Sequence, residues 1–282
     1  MAKREKNLSF VSAIPSIFVF GSLFFAACAP ASEAQPALTV SPAVTAVPQQ
    51  VEFSVLTTAT PVPLTPTPDP TATPDPYLVG TEPTVYREGF FHVPINAALA
   101  ERITGLSYPE DPADCPVTME ELRYLRIRYV DFAGAEREGE LIVYHTLAEE
   151  VLGMFAQLYD AKYPLTSVRL VDDFGEPGDD TRSMEADNTS SFCCRRVTGS
   201  KHYSLHSYGM AIDINPMRNP YIRKDGSVSP ENGTPYADRT KEFAGKIDEN
   251  DLAYRLFTEH GWSWGGYFRS EKDYQHFSKD LR

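Results

Sequence analysis

Ser204-Leu205-His206-Ser207-Tyr208-Gly209-Met210-Ala211-Ile212-Asp213, answered near the C-terminus by Asp273-Tyr274-Gln275-His276-Phe277, decides how this chain is read. His206 and Asp213 lie seven apart with Gly209 between them, a spacing that suits a loop residue followed by a strand residue rather than one helical face. Gly209 is expected to let the backbone turn close to a metal. Met210 to Ile214 reads as a short strand, and the alternation in Tyr274 to Phe277 as another that presents His276 on one side. Two imidazoles and one carboxylate, His206, His276 and Asp213, suffice as three protein ligands for zinc, leaving a fourth position for the water a hydrolase must activate. Asp273, three residues before His276, stands where it could take a proton from that water.

Working outward, Leu122 to Val130 alternates as a strand, and Gly139 to Tyr144 returns after a loop containing Gly134, so the two make a hairpin. Thr146 with Glu149 has the pattern of a capping box, and Leu147, Val151, Met154, Phe155 and Leu158 then fall on one helical face. Ser167 to Val171 is a short apolar strand, and the acidic, glycine-containing run Asp172 to Asp187 reads as a surface loop. A second helix is expected from about Asp251 to His260, closed by Gly261. Tyr77 to Pro116 is a turn-rich lead-in that packs on the domain formed by 117–282.

The first quarter of the 282 residues does not have the composition of a core. A basic head, Met1 to Lys6, precedes an apolar run that ends in Ala26-Ala27-Cys28, the order of an export signal over 1–27. The cysteine after two alanines resembles a bacterial lipobox. Cys28 is therefore expected to carry lipid, with an uncleaved membrane anchor as the alternative. From 28 to 76 the chain is rich in Pro, Thr, Ala and Val, an extended tether that at about 3 Å per residue reaches on the order of 100 Å. The expected location is extracytoplasmic, at the cell envelope, held to the membrane through the N-terminal lipid.

Removing Lys3, Arg4 and Lys6 together with Glu5 takes away two positive charges net, so the formal charge moves from −13 to −15. So acidic a body argues against binding nucleic acid. Three cysteines remain after Cys28, and an exported compartment permits a disulfide. Cys115 with Cys194 or with Cys193 is expected, because a bridge between the adjacent Cys193 and Cys194 would be strained.

Taken together, the two quoted segments resemble the zinc D-alanyl-D-alanine carboxypeptidase family, which includes VanY-type carboxypeptidases and phage L-alanyl-D-glutamate endopeptidases. Ser204, His206, Gly209, Ala211 and Asp213 match its Ser-x-His-x-x-Gly-x-Ala-x-Asp motif, and Trp264-Gly265-Gly266 and Asp273 with His276-Phe277 match its closing elements. The resemblance covers roughly Leu122 to Phe277. It implies an α+β fold, a small antiparallel sheet with packed helices like that of Hedgehog domains and D,D-peptidases. It also implies Zn2+ on His206, Asp213 and His276, with Asp273 as general base and acid. By the same resemblance Arg195, or alternatively Arg196, is expected to be the arginine that holds substrate or the developing oxyanion. Ser204, Arg196 and Tyr208 are expected beside the substrate.

The implied activity is hydrolysis of cell-wall stem peptides by a monomeric D,D-carboxypeptidase. An L-alanyl-D-glutamate-type endopeptidase and a non-catalytic wall-binding module of the same fold are the alternatives. His92, His145, His202 and His260 match no motif and read as structural. Trp262, Trp264, Tyr267 and Phe268 read as core first and as groove lining second.

Overall fold

Thr84–Arg87 (β1) and Phe90–Pro94 (β2) form a hairpin, and β2 pairs onward with Leu122–Val130 (β3), itself paired with Glu136–Tyr144 (β4). The result is an antiparallel sheet in the order β1-β2-β3-β4. The computed structural model describes residues 74–175 and 177–282. The expected signal segment 1–27, Cys28 and the Pro/Thr-rich stretch as far as residue 73 lie outside the described residues. Among the described residues no helix is long and apolar enough to cross a membrane.

The β3–β4 hairpin forms as its alternation predicts, in the register Leu122 to Tyr144 through Val130 to Glu136. β4 begins at Glu136, ahead of the expected Gly139, because its polar first half carries no hydrophobic signal. The turn is closed locally: Asp131 N–H donates to the Ala135 carbonyl at 2.9 Å, and Asp131 Oδ1 accepts from the N–H groups of Ala133 and Ala135.

Strand alternation then divides the core in two. Leu125, Ile127 and Tyr129 of β3 and Leu141 and Val143 of β4 face Ala148–Asp160 (α2; Ala97–Ile103, on the other face, is α1). Leu122, Tyr124 and Ile142 point the opposite way, onto Leu99 and Ile103 of α1 and onto Val117, Leu170 and Phe192. Leu147, Val151, Met154, Phe155 and Leu158 are all buried, as the helical face predicts. Leu152 and Ala156 are buried as well, since the same cluster runs through α2 to Ile212, Phe257, Trp264 and Phe277.

The expected Thr146/Glu149 capping box does not form. The chain enters α2 through a 3-10 turn, His145–Leu147, and Leu147 is already helical at φ −93° and ψ −9°, so no extended residue stands where a capping side chain would reach back.

Residues 172–187 are only in part a surface loop. They contain a 3-10 turn, Val171–Phe174, and a short helix, Thr181–Glu185 (α3), and Asp172, Asp180, Ser183 and Asp187 are buried. The acidity that reads as solvation serves internal contacts instead. Asp172 accepts the Ser107 N–H at 3.0 Å, Asp187 holds Arg218 at 3.0 Å, and Asp180 holds Arg195. Ser167–Val168 (β5) pairs in parallel with Asn188–Thr189 (β6), and the strand expected to run on to Val171 stops at Val168.

The remaining strands are short. Ala211–Asp213 (β7) borders the ladder of Tyr221–Ile222 (β8) and Val228–Ser229 (β9) in sequence but not in pairing. Ser263–Trp264 (β10), Lys272–Asp273 (β11) and His276–Ser278 (β12) complete two three-stranded antiparallel sheets, β10-β12-β7 and β11-β8-β9. Leu252–Glu259 (α4) forms where expected, capped by Asp251, whose carboxylate accepts the Ala253 N–H at 2.8 Å, and followed by Gly261 at φ +80°. The whole is α+β.

Cys115 bonds to Cys194 across 79 residues, and Cys193 is free and buried. Neighbours on extended chain point to opposite sides. Cys193 takes the inward position at 1% exposure, which leaves Cys194 to reach Cys115. A loop of this length removes about 4–5 kcal/mol of chain entropy from the unfolded state.

Candidate metal centre

β12 lies between β10 and β7, and its register sets His276 opposite Asp213, Phe277 opposite Ile212 and Ser278 opposite Ala211. Phe277 and Ile212 are fully buried toward α2. By the two-residue period His276 and Asp213 therefore project from the other face, side by side. Asp213 is pinned from its second edge too, exchanging two backbone hydrogen bonds with Ser190 at 2.9 and 3.1 Å.

His206 arrives from a 3-10 turn, Leu205–Tyr208, that ends at Gly209 with φ +65°. Ser204 caps this turn, its hydroxyl accepting the His206 N–H at 3.3 Å. Gly209 is required for two reasons. A side chain would disfavour its left-handed backbone, and a Cβ would stand 2.6 Å from Tyr144 N and 2.8 Å from the Val143 carbonyl carbon. The close approach is thus to the backbone of β4, which donates the Tyr144 N–H to the Gly209 carbonyl at 2.9 Å, and not to a metal as its place in the motif suggests.

The three side chains meet. His206 Nε2 lies 3.3 Å from Asp213 Oδ2 and 3.2 Å from His276 Nδ1, and His276 Nδ1 lies 3.0 Å from Asp213 Oδ1. Bonds of about 2.0–2.1 Å in a tetrahedral zinc site put donor atoms about 3.3 Å apart, so this spacing fits such an ion. The far nitrogen of His206, Nδ1, is 2.6 Å from the Ser191 carbonyl. A carbonyl only accepts, so Nδ1 carries the proton and Nε2 keeps its lone pair for a metal. Burial opposes charge on both His206 and Asp213, but their mutual attraction outweighs it: the imidazole pKa is raised and the carboxylate is held far below its usual range.

Asp273 ends β11, on a different sheet from His276, and pairs with Tyr221 of β8. Its Oδ1 is shut off from water with no hydrogen-bond partner among the described residues. Burial pushes its carboxyl up to about 6, the electrostatic influence of His276 opposes that rise, and the negative charge of Asp213 adds to it. Gly265 makes room for it, since a Cβ there would lie 2.8 Å from Asp273 Cβ.

Arg195 and Arg196 part company. Arg195 is largely buried, its Nε and Nη2 donating to Asp180 Oδ2 at 2.9 and 2.7 Å, and it feels the charge of Asp213. Its backbone is fixed by the Ser207 hydroxyl, which accepts the Arg195 N–H at 2.9 Å and donates to its carbonyl at 2.6 Å. Arg196 is exposed, with its guanidinium 4.3 Å over the Tyr203 ring and bonded to the Lys201 carbonyl. Tyr208 is half-buried between the two hydrophobic clusters, with the Arg282 guanidinium 4.5 Å over its ring.

Residues 198–279 match the D-alanyl-D-alanine carboxypeptidase family. The matched stretch contains His206, Asp213, Asp273 and His276, and it begins after Arg195. The match supports a peptidase. No curated protein and no solved structure matches the chain.

Four residues in this neighbourhood are not legible from sequence. Asp180 holds Arg195 from a run that reads as a loop, and Ser191 orients His206 through a backbone carbonyl, which carries no side-chain signal. Ser207 and Gln275 sit inside the quoted motifs without a motif role of their own. Gln275 is 2% exposed, and its carbonyl accepts the Ile214 N–H at 3.0 Å.

Proposed function

We propose that this protein is a zinc-dependent peptidase that hydrolyses bacterial cell-wall stem peptides, with a D-alanyl-D-alanine terminus as its substrate. The observation that carries this reading is the His206–Asp213–His276 donor set, with donor atoms 3.0–3.3 Å apart inside the family-matched stretch and with Asp273, its Oδ1 shut off from water, in electrostatic reach of all three.

His206, Asp213 and His276 would hold the ion. When bound, zinc supplies a Lewis acid that acidifies water and polarises a carbonyl. The protein residues do the rest. Ser191 keeps His206 in the tautomer that presents Nε2, and Asp273, whose carboxylate burial makes more basic, takes the proton of the attacking water and returns it to the leaving amine. Arg195 has Nε and Nη2 committed to Asp180, so Nη1 is the edge that meets a substrate carboxylate or developing oxyanion.

The export signal, the lipid on Cys28 and the Pro/Thr-rich tether would hold this activity at the outer side of the membrane, within reach of the wall. That part of the reading is supported by the sequence of 1–76. Incubating the purified protein with zinc and defined muropeptides, followed by mass spectrometry, tests the function. The expected product is the stem peptide shortened by one D-alanine. Cleavage between L-alanine and D-glutamate would reassign the substrate, and no cleavage of any muropeptide by the zinc-loaded protein would refute the proposal.

A further inference from the structure

The chain from Gly265 to Phe268 wraps closely around the site. A Cβ on Gly265 would stand 2.5 Å from the Asp273 carbonyl oxygen, and three residues later the Phe268 N–H closes the turn on the Gly265 carbonyl at 3.0 Å. Behind it the turn is held by the rings of Tyr254, Trp264 and Tyr267, with centres 5.3–6.1 Å apart, and by a 2.8 Å hydrogen bond between the Tyr254 and Tyr267 hydroxyls. The Trp264 indole N–H donates to the Tyr274 carbonyl at 2.9 Å, which ties the turn to the link between Asp273 and His276.

On this fixed base Phe268 does not turn into the core. It is 40% exposed, with its ring centre 6.2 Å from that of His276. Trp262 and Trp264, which read like Phe268 as core first and groove lining second, are buried and belong to the core. Tyr208, for its part, packs under Arg282. An aromatic face left in water beside a metal-ligand imidazole is a surface that an apolar group would stabilise by covering it. So near His276, the group that can reach it belongs to a residue at the scissile bond.

We propose that Phe268 is a specificity-determining residue that contacts the side chain of a substrate residue flanking the scissile bond, favouring the methyl group of alanine over glycine. The inference rests on the peptidase reading above and adds the wall that makes it selective. One methyl group discriminates by about 10- to 200-fold in an enclosed pocket, and an open ledge belongs at the low end, about tenfold.

The test uses the full-length, zinc-loaded protein in an Asp273→Asn background, so that peptides are bound without turnover. Calorimetry then compares N-acetylated stem-peptide analogues ending in D-Ala-D-Ala, Gly-D-Ala and D-Ala-Gly. Glycine at one of the two positions should weaken binding about tenfold, Phe268→Ala should erase that difference, and Phe268→Leu should keep most of it, with zinc content unchanged. If Phe268→Ala fails to hold zinc, the comparison passes to Phe268→Gln, which keeps side-chain bulk but replaces the apolar face with an amide, and a preference equal to that of the parent would overturn the proposal. A preference that survives Phe268→Ala overturns it as well, and so does its absence from the parent.

Turnover by the protein with Asp273 intact is measured in parallel. Cleavage with a preference indifferent to Phe268 leaves the peptidase reading standing and removes this one. Absence of cleavage of every peptide removes both, because the residue that Phe268 contacts is defined by the scissile bond.

Discussion

Replacing Gly209 by alanine should separate the geometry of the His206 turn from ordinary glycine effects. Gly209 sits at φ +65°, and a side chain there costs about 1–2 kcal/mol from the left-handed backbone alone. Its Cβ would also lie 2.6 Å from Tyr144 N and 2.8 Å from the Val143 carbonyl carbon. Both are backbone atoms of β4, and Val143 is fully buried, so neither can yield as the tip of a flexible side chain would. Overpacking of this kind costs roughly 1–3 kcal/mol, and spreading the contact strains the Tyr144 to Gly209 hydrogen bond, worth about 1 kcal/mol.

The sum, about 3–6 kcal/mol, corresponds to a fall in Tm on the order of 10 °C or more for a domain of this size. Gly134→Ala is the control. Gly134 has φ +80° with nothing within 4 Å of its Cβ position, so it bears only the backbone cost, a few degrees. The turn could instead relieve the clash by moving off β4 with His206, and a zinc site tolerates only about 0.2 Å in its ligand distances. Thermal unfolding and zinc stoichiometry are therefore measured on both variants. Gly209→Ala with full zinc and a Tm equal to that of Gly134→Ala would refute the reasoning.

Asp273→Asn keeps the shape of the side chain but cannot take a proton, so turnover should fall by about a hundredfold to ten-thousandfold with zinc retained; loss of zinc together with activity would make Asp273 a metal ligand instead. Burial raises Asp251 to about 6. Between its unfolded value near 4 and pH 6 the folded state then holds a proton that the unfolded state has lost, so stability falls as pH rises across that window, by up to about 3 kcal/mol. Asn is as good a cap as Asp, so Asp251→Asn should flatten that part of the stability profile and be at least as stable as the parent at pH 7.5, as read by denaturant unfolding at several pH values; an unchanged slope counts against the assignment. Cys28→Ala should abolish lipid attachment in a bacterial host, as followed by intact mass, and an unmodified N-terminus within the linker of the parent protein would defeat the lipoprotein reading.

Sequence by itself determined what is local. The β3–β4 hairpin, the apolar face of α2, and α4 with its closing Gly261 are written in periods of 2 and 3.6 residues and in end signals, and each of these is settled within a few neighbouring residues. The residue types of the candidate metal centre are local as well, because His206, Asp213, Asp273 and His276 stand in two short motifs. Which atoms meet is a matter of long-range pairing. The register of β12 on β7 brings His276 to Asp213 across 63 residues, and it sets Asp273, only three residues earlier, on a different sheet.

Tertiary structure also separated neighbours that the sequence sets side by side. The inward turn of Cys193 gave Cys194 to Cys115, and Asp180 drew Arg195 inward while Arg196 remained outside on Tyr203. The acidic run 172–187 misled for the same reason. A carboxylate looks solvated until the distant group that neutralises or hydrogen-bonds it is known, and for Asp172, Asp180 and Asp187 those groups are Ser107, Arg195 and Arg218. Burial of a charge is decided by its partner, and the partner is found only when the chain has folded.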